Sequence, residues 1–381
     1  MFITFLSVVF IVYSSINYYI FRHFYPLFNS SLLAKKLYII SFTIIASSYF
    51  IYRICDKIHS TPLVKILGQI GSIWLVFMVY ALLTIILYDI AYWLCRLISP
   101  TLFNYLASFP HIKTITSSVI ITFISVITIY AFFNAGNQRV VRIDIKPLHA
   151  NKTTLSKPYK IAYASDLHIN DLFYTNSVKK LVDLVNEENV DLMLFGGDVF
   201  TEDVSHLTYH DSGEVLKKLK TKYGVYTVFG NHEYIGSIES AINHFEKYNI
   251  KILQDSSVLI NNELVVIGRD DLSAERMLKN KRASLPELLI NEVDSLFTIV
   301  IDHQPKSYQE GKDKPIDLYL SGHTHHGQLY PFSFITKKIF DNSWGLQILD
   351  KSYYYVSCGY GFWGPVGRVG SKPEMIIFTI R

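Results

Sequence analysis

The chain has 381 residues, half of them hydrophobic, with a formal net charge of +4. That length exceeds one ordinary domain, three cysteines exclude a disulfide framework, and a positive mean hydropathy is unusual for a wholly soluble protein. Charge is uneven: residues 1–138 carry eight Lys/Arg against Asp56 and Asp89, leaving an acidic excess of two in the remainder. A basic excess spread between apolar runs fits helix-end anchoring in a membrane, and the second half carries no Lys/Arg stripe, so nucleic acid is not an expected partner.

Four apolar runs read as spans. Phe2–Phe21 is uncharged and closed by Arg22; Leu37–Tyr52 lies between Lys36 and Arg53. Ile66–Tyr88 and Thr114–Gln138 are longer and bounded by Lys65 and Asp89, and by Lys113 and Arg139. A span needs roughly 20 apolar residues, and flanking basic side chains let the shorter second run reach the interface. Tyr18, Tyr19, Tyr52 and Trp93 fit an interfacial aromatic belt. A signal peptide is the competing reading of the first run, but it lacks a basic n-region and three further runs follow. Asp89 either marks where a helix leaves the hydrocarbon or is a functional intramembrane carboxylate. Four spans place both ends of this region on one side. Seven Lys/Arg on that side, against five on the other, favour a multi-pass protein with a cytoplasmic second half. Cys55 and Cys95 sit in or beside these runs and Cys358 in a late strand, all reading as ordinary semi-buried residues.

From Arg139 the pattern changes to short strands and helices, giving an expected boundary between a four-span domain, 1–138, and an α/β domain, 139–381. Strands are expected at Val140–Ile145, Lys160–Ala164, Asp191–Phe195, Val225–Phe229, Ser295–Ile301, Ile316–Leu320, Tyr353–Ser357 and Met375–Ile380. A helix is expected at Val178–Asn189 and a hairpin at Val258–Gly268. Five of these strands end in polar turns: Asp166-Leu-His168, Gly196-Gly197-Asp198, Gly230-Asn231-His232-Glu233, Asp302-His303 and Gly322-His323-Thr-His325. Ligand sites of open α/β folds collect at the carboxyl ends of strands, so these turns can converge. Ordinary turn chemistry explains Asp, Asn and Gly; it does not explain a histidine in four of the five. Carboxylate and amide oxygens with imidazole nitrogens form the mixed donor set that Mn²⁺, Fe²⁺ or Zn²⁺ accept. In an extended strand, Asp166 with His168, and His323 with His325, would each point to one side.

These five blocks, in this order, resemble the calcineurin-like metallophosphoesterases, over roughly residues 139–381. The four-span start, the Asp302-His303-Gln-Pro block and Pro373-Glu374 resemble the transmembrane branch of that family. The Gly-His-Thr-His block there usually continues Gly-Gly-Gln; His326 replaces the first of those glycines and is expected at the rim of the site. The resemblance implies a four-layered α/β/β/α sandwich and two divalent metal ions. One would be held by Asp166, His168, Asp198 and His325, the other by Asp198, Asn231, His303 and His323, with Asp198 bridging. Two ions about 3.5–4 Å apart clamp a phosphoryl group while a metal-bound hydroxide attacks phosphorus. His232 would be the general acid for the leaving oxygen, or alternatively a support for the metal site, and Glu233 would orient a ligand.

The expected activity is hydrolysis of a phosphodiester or pyrophosphate. The anchor suggests a lipid-linked substrate, such as the UDP-diacylglucosamine cleaved by relatives, with water-soluble phosphate esters as the other option. A rival reading makes the spans a transporter or sensor regulated by the phosphoesterase domain, but they contain no internal charge pairs or broken-helix signals. Among secondary candidates, Arg269, with Asp270 and Asp271, forms an edge salt bridge or reaches substrate. Arg368, in the Gly359–Gly370 run, meets a phosphate or forms a turn salt bridge. His206 and His210 read as solvated.

Overall fold

The computed structural model describes residues 2–28, 30–59, 61–170, 172, 175–201, 213–289 and 291–381. They form two compact units, one of residues 1–133 with 364–367, the other of 134–363 with 368–381. The first unit contains α1 (Phe2–Phe24), α2 (Leu32–Ile58), α3 (Pro62–Ile98), α4 (Pro100–Ala107) and α5 (Ile112–Ala135). Side-chain oxygens start two of them: Ser31 accepts from the Ala34 amide and Thr61 from Val64, with Pro62 in the first turn of α3.

Leu32–Asp56, Pro62–Ile98 and Ile112–Ala135 are long and apolar enough to cross a membrane, and they contain most or all of the second to fourth expected spans. The first expected span falls on α1, some of whose side chains lie outside the described residues. α2 and α3 cross closely at Gly71, where a Cβ would lie 2.4 Å from the Tyr49 backbone nitrogen. Trp74 donates from Nε1 to Asn17 Oδ1 at 3.0 Å, joining α3 to α1. Asp89 does not end α3, which continues to Ile98; its carboxylate accepts from the Tyr19 hydroxyl at 2.5 Å.

The second unit holds two six-stranded sheets. Its elements run β1 (Arg139–Ile145), β2 (Tyr159–Ala164), α6 (Thr175–Glu187), β3 (Leu192–Phe195), β4 (Val225–Thr227), α7 (Asn231–Ile235), α8 (Ile238–Lys247), β5 (Lys251–Ile252) and β6 (Ser256–Ile260). They continue as β7 (Leu264–Gly268), α9 (Ser273–Leu278), α10 (Leu285–Leu288), β8 (Phe297–Ile301), β9 (Leu318–Ser321), α11 (Ser333–Ile339), β10 (Gly345–Leu349), β11 (Ser352–Val356) and β12 (Glu374–Ile380). The sheet orders are β1-β12-β2-β3-β4-β5 and β10-β11-β9-β8-β7-β6. Strands β2 to β5 are mutually parallel, as are β7, β8 and β9.

Both sheets contribute inner faces to one core, with Ile161, Leu194, Val266, Ile299, Leu320 and Phe378 among its fully buried members. On α6 the buried apolar residues Val178, Leu181, Val182 and Val185 have the spacing of one helical face, with Leu184 partly buried beside them. Val265, Ile267, Val300 and Tyr319 cover the other side of the second sheet beneath Leu285 of α10. Parallel strands inside each sheet bring the polar turns after β2, β3 and β4, and after β8 and β9, to strand ends of like direction. That register positions the site. β4 is two residues shorter than expected, because Val228 and Phe229 lead into the turn.

At the other end of β2, Glu263 accepts hydrogen bonds from the Tyr159 hydroxyl, from both the amide and hydroxyl of Ser156, and from Asn261. These contacts, led by Tyr159 and then Ser156, depress its pKa from 4.5 to about 2. A depressed carboxylate pKa contributes stability above the unfolded value, which is lost as pH falls through the folded value. Glu263→Gln is therefore expected to destabilise the chain near neutrality. In denaturant unfolding, the gap between variant and parent should close between pH 4.5 and about 2.

Candidate metal centre

The turn residues converge through backbone that few side chains adopt. Asp166, His168, Asp198, His323 and His325 all have positive φ, between 46° and 67°. Asp and His tolerate this region better than most residues, but each such position costs of order 1–3 kcal/mol and persists where the surroundings enforce it. The surroundings here are tight. A Cβ on Gly230 would lie 2.2 Å from Asp198 Oδ1, and one on Gly322 would lie 2.3 Å from Asp166 Oδ2. The left-handed turns also correct the expectation of strand-like alternation. Asp166 and His168 face one point together with His325, while His323 joins Asp198 and His303, the division that the resemblance implied.

Among the described residues, three sets each have potential ligand atoms within 4.8 Å of one another: Asp166, His168 and His325; Asp198, His303 and His323; and His168, Asp198 and His232. Asp198 belongs to two of them. Its Oδ2 is 3.2 Å from His303 Nε2 and 3.8 Å from His168 Nε2, while its Oδ1 accepts from the His232 amide at 2.8 Å. Asn231 Oδ1 lies 3.2 Å from His303 Nε2. His168 Nε2 and His325 Nε2 are 3.0 Å apart, and His325 Nε2 is 3.5 Å from Asp166 Oδ1. Asp166 is held by the His323 amide, at 2.9 and 3.0 Å to its two oxygens, and by the Ser165 hydroxyl.

This donor set fits divalent ions. His303 directs Nδ1 at the Gly196 carbonyl, 2.8 Å away, which leaves Nε2 facing Asp198 and Asn231. A backbone carbonyl on the far ring nitrogen is the usual support of a metal-binding imidazole. Burial drives the pKa of His168 and of His323 down to about 3 and that of His325 well below its ordinary value, so all three present neutral imidazoles. Burial raises Asp166 to about 6, with the Asp198 charge adding to it. Burial also acts to raise Asp198, yet His303 overrides it and holds that carboxyl below the usual range. Burial opposes charge on His303, but Asp198, with Asp166 and Asp271 nearby, holds it protonated well above its ordinary value. Buried carboxylates demand such a counter-charge; a divalent ion supplies it equally, and the His303 proton must leave when Nε2 becomes a ligand.

Glu233 ties the turns together. Its carboxylate accepts from the amides of Asp198 (3.0 Å), Gly230 (2.7 Å) and Phe200 (3.1 Å). Burial and the Asp198 charge raise its pKa to about 7. In Glu233→Gln one oxygen becomes an NH₂ that cannot accept from these amides. The expected loss is about 1–3 kcal/mol of stability and roughly 10–100-fold in metal affinity. Thermal unfolding and metal titration of parent and variant check both.

The secondary candidates fall differently. His326 stands outside the three sets, its ring 4.8 Å from Trp344 and Nδ1 facing the Ser343 hydroxyl. Arg269 is buried and donates to Asp302 (3.2 Å) and Glu310 (2.8 Å), an internal ion pair instead of an edge one. Arg282, which sequence reasoning missed, clamps Asp302 with two hydrogen bonds, and Tyr319 adds a third partner at 2.8 Å. Asp302 thus anchors the turn that carries His303. Arg368 is fully buried, with Nη2 3.2 Å from His325 Nδ1 and further bonds to the Gly359 and Gly361 carbonyls. It backs His325, a candidate ligand, which neither expected reading of Arg368 foresaw. His206 and His210 lie outside the described residues.

Comparison with known proteins agrees with this geometry. Residues 159–327, which contain all five turns, match the calcineurin-like phosphoesterase family. An uncharacterised metallophosphoesterase of Aquifex aeolicus is 29% identical over 243 residues, covering 63% of this chain and 92% of the relative. One of Campylobacter jejuni is 30% identical over 261 residues, covering 67% and 68%. A Danio rerio transmembrane protein with a metallophosphoesterase domain is 28% identical over 270 residues, covering 68% and 61%. The chain belongs to the calcineurin-like phosphoesterases, a family of metal-dependent phosphoester hydrolases.

Proposed function

We propose that the chain is a membrane-anchored dinuclear phosphoesterase that hydrolyses a phosphodiester or pyrophosphate. The reading divides it at residues 138/139 into a four-span anchor, with α1 as the first span, and a four-layered α/β/β/α catalytic domain on the cytoplasmic side. The observation that carries it is the position of Asp198, whose carboxylate faces histidines from two separate ligand groups. Asp166, His168, Asp198 and His325 would hold one divalent ion, and Asp198, Asn231, His303 and His323 the other, from among Mn²⁺, Fe²⁺ and Zn²⁺. Bound ions supply Lewis-acid charge to a phosphoryl group and lower the pKa of water in the same site.

The chain's own residues do the rest. Asp198 holds the two groups at one carboxylate, while Glu233 fixes the Asp198 amide and the Gly230 turn. Asp302, gripped by Arg269 and Arg282, fixes the backbone beside His303. His232 follows Asn231 at the start of α7 and delivers a proton to the leaving oxygen. A second reading of His232 has structural support, since it also groups with His168 and Asp198 as a possible ligand. The apolar helices favour a substrate at the bilayer, and a lipid-linked pyrophosphate such as UDP-diacylglucosamine meets that description; nucleic acid is not an expected substrate.

The test is turnover by the purified, Mn²⁺-loaded chain on lipid-linked pyrophosphates and on soluble diesters, with His303→Ala as control. Hydrolysis of the lipid-linked substrate that disappears in the control supports the whole reading. Turnover of soluble diesters alone removes the lipid substrate, and a control as active as the parent removes the metal assignment.

A further inference from the structure

Helix α11 is built inside out. Its small polar residues Ser333 and Thr336 turn inward, Ser333 being buried, while Phe334, Ile335 and Ile339 are each more than half exposed. On a helical projection, Phe334, Lys338, Ile335 and Ile339 occupy one continuous outer face, and Lys337 flanks it. An ordinary surface helix buries its apolar face; this one presents it to the surroundings. The exposed strip extends beyond the helix. The half-exposed Tyr330 ring packs edge-on against Phe334 at 5.5 Å, and Gln328 exchanges two hydrogen bonds with the Trp363 backbone. The Trp363 side chain is more than half exposed, and its ring lies 5.9 Å from His232. Trp363 thus stands beside His232, at the edge of the ligand cluster.

We propose that α11 is an interfacial membrane-binding element, seating its outer face at the headgroup level of a bilayer containing anionic lipid. Apolar and aromatic side chains interleaved with lysines are what such a surface requires. The rings and branched chains enter the acyl boundary by about 5–10 Å, the lysine stems lie along it, and their ammonium groups meet lipid phosphates. Among the described residues the same chain carries three helices apolar enough to cross a bilayer, so a membrane is the occupant at hand. Asp341, just beyond the helix, is engaged by the Tyr308 hydroxyl at 2.6 Å. This inference concerns a surface and does not depend on which phosphoester is cut.

The test uses the full chain with Cys55→Ser and Cys95→Ser, Cys358 being buried. Phe334→Cys, or separately Ile339→Cys, carries an environment-sensitive fluorophore, and Lys312→Cys at the opposite ends of the strands serves as reference. Each protein is reconstituted in vesicles of phosphatidylcholine with phosphatidylglycerol. Both α11 labels should emit to the blue of the reference and be quenched about twofold or more above it by lipids spin-labelled near the headgroup. Labels that match the reference and are quenched by aqueous iodide overturn the proposal. Labels shielded from iodide yet untouched by the lipid quencher also overturn it, because a protein partner or second copy would then cover the helix.

Discussion

Asp198→Asn is expected to lower kcat about a thousandfold on every phosphoester tested, equivalent to about 4 kcal/mol of transition-state stabilisation. The reasoning is local. An asparagine retains an oxygen to accept from the His232 amide, and the Asp198 amide still reaches Glu233, so the turn keeps its hydrogen bonds. What is lost is the charge and the second oxygen, which faces His303 at 3.2 Å and His168 at 3.8 Å. An amide nitrogen there cannot accept from either imidazole or bind a cation. Bound metal, measured per chain after gel filtration, should fall in parallel with activity, and the metal-free protein should unfold at a lower temperature, because the variant removes the carboxylate that holds the buried His303 protonated. Parental activity in this variant would mean that the two groups do not share a carboxylate in catalysis.

The second large effect separates the two readings of His232. If it protonates the leaving oxygen, His232→Asn should cost 10²–10⁴-fold for a substrate with an alkoxide leaving group. A nitrophenolate leaves without help, so the same variant should hydrolyse a nitrophenyl ester within about tenfold of the parent. If His232 is instead a ligand beside His168 and Asp198, both substrates should slow equally and bound metal should fall. Steady-state kcat on the two substrates decides. The close ring neighbours, His168 at 4.8 Å and the exposed Trp363 at 5.9 Å, place His232 at the edge of the ligand cluster, where a leaving group could depart.

How far the sequence revealed this arrangement depended on whether a signal was local. The five turns were legible because each follows a short apolar strand and departs from it through Gly, Asp, Asn or His. Parallel pairing of β2, β3 and β4, and of β8 and β9, then places them together. The direction of each ligand was less legible. Extended-strand alternation was expected to aim each pair, but Asp166, His168, His323 and His325 all have left-handed backbone; His323 and His325 fall in the two groups that the resemblance implied. Arg368 was hidden because nothing near it in sequence names His325, 43 residues earlier, as its neighbour. A basic residue within a run of glycines was the only trace, and it fits many roles. Arg282 lies in a polar stretch whose charge gives no hint that it is buried against Asp302.

The helices of the first unit teach a related lesson. Charged residues were read as span boundaries, yet α3 continues nine residues past Asp89 to Ile98. A charge marks where hydrocarbon ends, whereas a helix stops only where its backbone bonding does. Here that is at Ser99 before Pro100, a residue that cannot donate an amide. β10 went unread for the opposite reason. Its residues are largely exposed at a sheet edge, so apolar periodicity carries no signal there.

The most direct test of the two-metal account is anomalous diffraction from crystals of the chain grown with Mn²⁺, recorded on both sides of the manganese edge. The account predicts two peaks about 3.5–4 Å apart, one among Asp166, His168 and His325, the other among Asn231, His303 and His323, with Asp198 touching both. A single peak, or two that do not share Asp198, would contradict it.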